Sequence, residues 1–116
     1  MMACVHDFGI IDEFDSQKSY NDYTLEKYHC VSVDDYIISS LSQNLSIMKT
    51  YFHTVKNQEY GLAYWGITII PPESLEIFYE TVTSSKLFKQ SDELNELASK
   101  IVQAAAEKKY MIHYGI

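Results

Sequence analysis

A chain of 116 residues, 47% hydrophobic and 22% charged, suits a single domain over residues 1–116 with a core that needs neither disulfide nor metal. Its net charge of −7 and its complete lack of arginine argue against nucleic-acid binding and against bidentate clamping of phosphate or carboxylate. A basic partner is the natural complement of such a surface, and no apolar run reaches the length of a membrane span.

In chain order, a first strand is predicted over residues 3–11. The stretch DEFDSQKSYNDYTLEK (12–27) is polar and turn-rich and reads as a long surface loop, and YHCVSV (28–33) reads as a second strand. Ser32, followed by Asp34 and Asp35, reads as a helix cap with acids in the first turn. Apolar residues at 33, 37, 41 and 45 then predict an amphipathic helix over 34–45. MKTYFHTV (48–55) is predicted to form a hairpin with strand 62–70, with KNQEYG as the turn.

Within 62–70, Ala63, Trp65, Ile67 and Ile69 share one face, and Leu62, Tyr64, Gly66, Thr68 and Ile70 the other. Both faces are largely apolar, so this strand is expected to be central and covered on at least part of each. Pro71 and Pro72 end it, and Pro72 opens a helix over 73–84 with Leu75, Phe78, Tyr79 and Val82 on its buried face. Ser91 caps a longer helix over 92–108, where Leu94, Leu97, Ala98, Ile101, Val102 and Ala105 recur at helical spacing. A strand over 110–115 follows. Chain directions make 48–55 and the last strand both antiparallel to 62–70. The expected fold class is α+β: a small, mainly antiparallel sheet with helices packed on one face.

Chemical motifs are scarce. His6, His29, His53 and His113 show no HxxxH or HxH spacing, and Cys4 and Cys30 form no CxxC, so no metal site and no cofactor is assigned. Both cysteines are expected to be small buried hydrophobes in a reducing, cytoplasmic setting, since MMACVHDFG lacks the features of a signal peptide. A calcium loop counted from Asp15 fails at Tyr20, where glycine is required. Neither a GxSxG elbow nor a GxGxxG or P-loop glycine pattern is present, and no catalytic residue is assigned.

Acidity, by contrast, is concentrated early. Residues 1–35 hold eight acids against Lys18 and Lys27, whereas residues 36–116 hold eight acids against seven lysines. The candidate partner-binding residues are therefore Asp12, Glu13, Asp15, Tyr20, Asp22, Tyr23 and Glu26. Tyrosine supplies large contact area at low entropic cost, and the carboxylates around it complement basic side chains. Packing of Tyr20 and Tyr28 against the body of the protein is the competing use of the same ring.

The segments KYHCVSVDDYI, EYGLAYWGITIIPPESL and YMIHYGI, set in a small acidic α+β chain, resemble the immunity proteins of bacterial polymorphic toxin systems. The resemblance implies a non-catalytic protein that binds one cognate toxin domain, often a nuclease, and blocks it by occlusion. On that reading the acidic loop meets a basic toxin surface, with neither nucleic acid nor membrane as partner. Two alternatives stay open. A small hydrolase-like or metal-dependent enzyme requires a pocket that gathers histidine, cysteine and carboxylates, and a regulatory subunit of a larger complex requires an exposed apolar patch. Residues 60–75 are expected to be scaffold, with Trp65 buried beside Ile67 and Ile69. Gly66 is expected to mark a bulge or a close approach of the last strand.

Overall fold

The computed structural model describes residues 4–116. Six strands form one sheet: β1 (Val5–Ile11), β2 (Val31–Asp34), β3 (Lys49–Phe52), β4 (Gln58–Tyr60), β5 (Ile67–Ile70) and β6 (Tyr110–Tyr114). Their spatial order is β2-β1-β6-β5-β3-β4, and every neighbouring pair is antiparallel. Three helices, α1 (Asp35–Leu45), α2 (Leu75–Thr83) and α3 (Asp92–Glu107), pack on it. As expected, the fold is α+β, and β5 lies in the interior with β3 and β6 antiparallel on either side.

Alternation along the strands sorts the core into two parts. Phe8, Ile10, Ile70 and Met111 face the helices and join Leu41, Leu45, Phe78, Leu94, Leu97 and Ile101. Ile11, Ile67, Ile69, Ile112 and Tyr114 face the other way and are covered by Tyr20 and Tyr28, with Phe14 and Leu25 beside them. Segment 12–28 thus roofs the face that the helices leave bare. All four residues of β5 are buried, consistent with an apolar strand covered on both sides. A Cβ on Gly9 would lie 2.7 Å from both Cβ and the carbonyl oxygen of Tyr28, so glycine in β1 lets the segment sit directly on the sheet.

Helix α3 follows its sequence signals closely. The Ser91 side chain accepts from the Leu94 N–H at 3.1 Å, and Asp92 and Glu93 occupy the first turn. Lys108 ends the helix in the left-handed conformation, with φ 55°.

Other elements depart from expectation for local reasons. The cap of α1 is Asp34, whose carboxylate accepts from the Tyr36 N–H at 2.8 Å; Ser32 stays in β2 and donates to Asp7 instead. β2 starts only at Val31, because Leu25–Tyr28 closes a 3-10 turn that His29 ends at φ 51°. The expected turn after β3 contains β4, which pairs with β3 on the side away from β5. The expected strand 62–70 begins at Ile67, after an irregular segment that ends at Gly66 with φ 108°. Trp65 lies on that segment and is 75% exposed, which overturns its expected burial. The close approach at Gly66 is present, since its carbonyl accepts from the Gly115 N–H at 2.8 Å. Tyr79, Val102 and Ala105 are also exposed, because α2 and α3 form a single layer with nothing over their outer side among the described residues. Cys4 is exposed rather than buried, and Cys30 is half-buried.

Candidate functional site

Segment 12–28 is anchored by its aromatic residues. The Tyr20 N–H donates to the His53 carbonyl at 2.6 Å, the Tyr20 hydroxyl accepts from the Asp15 N–H at 3.0 Å, and the ring stacks on Phe14. His53 Nδ1 meets the Tyr20 carbonyl at 2.9 Å and so donates to it. Only 4% exposed, Tyr20 holds the segment down and offers little surface to a partner. The other six predicted residues, Asp12, Glu13, Asp15, Asp22, Tyr23 and Glu26, are exposed. Asp12, Glu13 and Asp15 converge with Lys18 and Lys27 around an open depression of ≈ 530 Å³, which Asp22, Tyr23 and Glu26 do not line. Lys109 pairs with Asp12 at 2.8 Å and holds its carboxyl below the usual range, while also gripping Glu107 at 2.7 Å. The Tyr23 ring lies 4.9 Å from that of Tyr114, beneath the segment.

A second polar arrangement was not foreseen from the sequence. His6 on β1, His113 on β6 and Thr68 on β5 are fully or almost fully buried on the helix-facing side of three adjacent strands. His6 Nδ1 lies 2.8 Å from His113 Nε2, His6 Nε2 lies 2.8 Å from Asp35 Oδ1, and His113 Nδ1 lies 3.0 Å from Thr68 Oγ1. Thr68 Oγ1 also accepts from the Ala63 N–H at 2.8 Å, and the Tyr64 hydroxyl donates to Asp35 Oδ2 at 3.0 Å. Ala63 and Tyr64 are consecutive, so the bonds close a ring through the two residues that precede Trp65.

One set of hydrogens satisfies every link. Thr68 donates to His113 Nδ1, the His113 Nε2–H to His6 Nδ1, and the His6 Nε2–H to Asp35, with both imidazoles neutral. An extra proton on His113 forces an N–H toward Thr68, whose own hydroxyl hydrogen then has no acceptor among the described residues. Burial, reinforced by the neighbouring His6, accordingly holds the His113 pKa well below its ordinary value. The hydrogen bond from His6 is the main influence lowering the Asp35 pKa. Both nitrogens of each imidazole are engaged within the chain, so neither ring turns a free nitrogen toward solvent. Local spacing could not reveal this assembly, which joins positions 6, 35, 68 and 113. Its available signal is a polar residue at each of three inward-facing strand positions, where a buried donor or acceptor must find a partner.

Among the described residues, no three His, Cys, Asp or Glu side chains are grouped to hold a metal ion, and no helix is long and apolar enough to cross a membrane. No family model, curated protein or solved structure matches this chain.

Proposed function

We propose that this protein is a cytoplasmic, non-catalytic binding protein of the immunity type, which neutralises a cognate bacterial toxin domain by covering it with its acidic, tyrosine-bearing surface. One observation carries the reading: segment 12–28 is fastened to the sheet through Tyr20 and Tyr28 while its carboxylates point outward. A surface ordered before binding loses less entropy on association, and a negative field speeds encounter with a basic partner. Changing Asp12, Glu13, Asp15 and Asp22 together to lysine should weaken binding to a cognate toxin domain and flatten the dependence of affinity on salt. Unchanged affinity and salt slope would remove this segment from the interface.

A second reading, a subunit of a larger complex, draws on the groove of ≈ 700 Å³ between α2 and α3, where Tyr79, Val102 and Ala105 lie exposed at positions of apolar helical spacing. Light scattering at rising protein concentration separates the two, because only this second reading requires self-association through that groove.

A further inference from the structure

A cleft of ≈ 230 Å³ lies between α1 and residues 60–64, beside the histidine chain and on the helix side of the sheet. Ser39, Ser42 and Ser46 line its α1 wall, and each hydroxyl hydrogen is already committed. Ser39 donates to Asp35 Oδ1 at 3.4 Å, Ser42 to the Ser39 carbonyl at 2.9 Å, and Ser46 to the Gln43 carbonyl at 2.6 Å. Across the cleft, Tyr64 donates to Asp35. His6, which also lines the cleft, has both nitrogens bonded within the chain. The cleft therefore offers oxygen lone pairs, the rings of Tyr60 and Tyr64, and the aliphatic side chains of Ile38, Leu45 and Leu62, with no lysine in its lining.

Hydrogen-bond acceptors, aromatic faces and an apolar floor together match a donor-rich cation carried on an aliphatic stem. Arginine fits this set better than lysine. Its planar guanidinium stacks on tyrosine and distributes five donors, which suits acceptors spread along α1. Trp65 does not line the cleft but follows Tyr64, edge-on to it with ring centroids 5.1 Å apart; it is 75% exposed, between the Tyr64 and Gly66 carbonyls that accept from the Ile116 and Gly115 N–H groups. A rigidly held, exposed tryptophan beside a pocket is an anchor for a protein surface rather than for a small metabolite. The net charge of −7 favours a basic partner.

We propose that this cleft receives an arginine side chain of a protein partner, with its stem on Ile38, Leu45 and Leu62 and its guanidinium among the serine oxygens and tyrosine rings. The pocket lies on the opposite side of the sheet from segment 12–28 and does not depend on the role assigned to that segment.

The test is titration of the intact protein with N-acetyl-arginine amide, and separately with its neutral isostere N-acetyl-citrulline amide, followed by NMR shifts and Trp65 fluorescence. The expected result is saturable, millimolar binding of the arginine probe with shifts centred on Ser39, Ser42, Tyr60 and Tyr64, and about tenfold weaker binding of the citrulline probe. Ser42→Leu, at an exposed helix position, should fill the cleft and abolish those shifts while leaving the spectrum of a folded protein. Equal response to both probes, no shifts at the cleft, or shifts that survive Ser42→Leu would overturn the proposal. Shifts confined to segment 12–28 would also overturn it while leaving the acidic-segment reading intact.

Discussion

The two faces of this sheet are closed by different kinds of chain. Three helices cover one face and gather seventeen buried apolar residues, whereas segment 12–28 covers the other and gathers seven, three of them tyrosine. The helical side is built mainly from aliphatic, methionine and phenylalanine side chains, and its buried polar residues His6, His113 and Thr68 are bonded to one another and to Asp35. On the other side the Tyr114 hydroxyl is buried without a well-formed hydrogen bond among the described residues, and burial pushes its pKa up to about 12. An unpaired buried hydroxyl costs about 1–3 kcal/mol, which water would relieve if the segment lifted. The helical face therefore sets global stability, and the face under the segment is expected to open first.

That difference can be broken by substitution. Ile101→Ala, on the helical side, should lower unfolding free energy by about 2–5 kcal/mol in urea denaturation. Gly9→Ala places a methyl against Tyr28 and Cys30 on the other side and should cost about 1–3 kcal/mol. It should also speed amide exchange and proteolysis within 12–28 while α3 stays protected. Equal loss of protection in α3 would mean that the two faces open as one unit.

Acid sharpens the contrast, because the titrating pair lies on the helical side. His113 is held neutral among His6, Thr68 and Phe8, with Asp35 and Tyr64 at the far end of the chain. Its folded pKa lies well below 6.5, so from about pH 6.5 downward the unfolded chain takes up a proton that the folded chain resists. Stability should fall with pH by at most about 1.4 kcal/mol per unit from this group. Asp35, whose pKa is lowered mainly by the bond from His6, adds a further loss below about pH 4. Urea midpoints measured across this range check the trend, and His113→Asn should flatten the upper window. The smallest effect is expected at Trp65→Ala, within about 0.5 kcal/mol of the parent, since that ring is on the surface.

Much of this architecture was legible where local rules act alone. α3 carries its cap, its acidic first turn and its apolar stripe within one window, and the prolines mark the corner after β5. Legibility failed where distant contacts decide. The alternation of 62–66 continues that of β5, yet the ring of bonds to Asp35 and Thr68 pulls this stretch off the sheet and leaves Trp65 outside. β4 reads as a turn because an exposed edge strand has no buried face to impose a pattern. Ser32 has the chemistry of a cap, but pairing with β1 holds it in a strand. Among the acidic-segment candidates, composition identified the exposed carboxylates but could not tell Tyr20, an anchor, from Tyr23, which is half-exposed.

The position of β6 has a consequence for how the molecule is made. This strand comes last of the six in the chain, yet it sits between β1 and β5 and holds the two halves of the sheet together. Until residues 110–114 have left the ribosome, β2–β1 and β5–β3–β4 share no strand-to-strand hydrogen bonds. Both inner edges, including apolar Ile67 and Ile69, stay open to wrong partners. The sheet closes in a single late event, and its most exposed moment comes just before that strand leaves the ribosome.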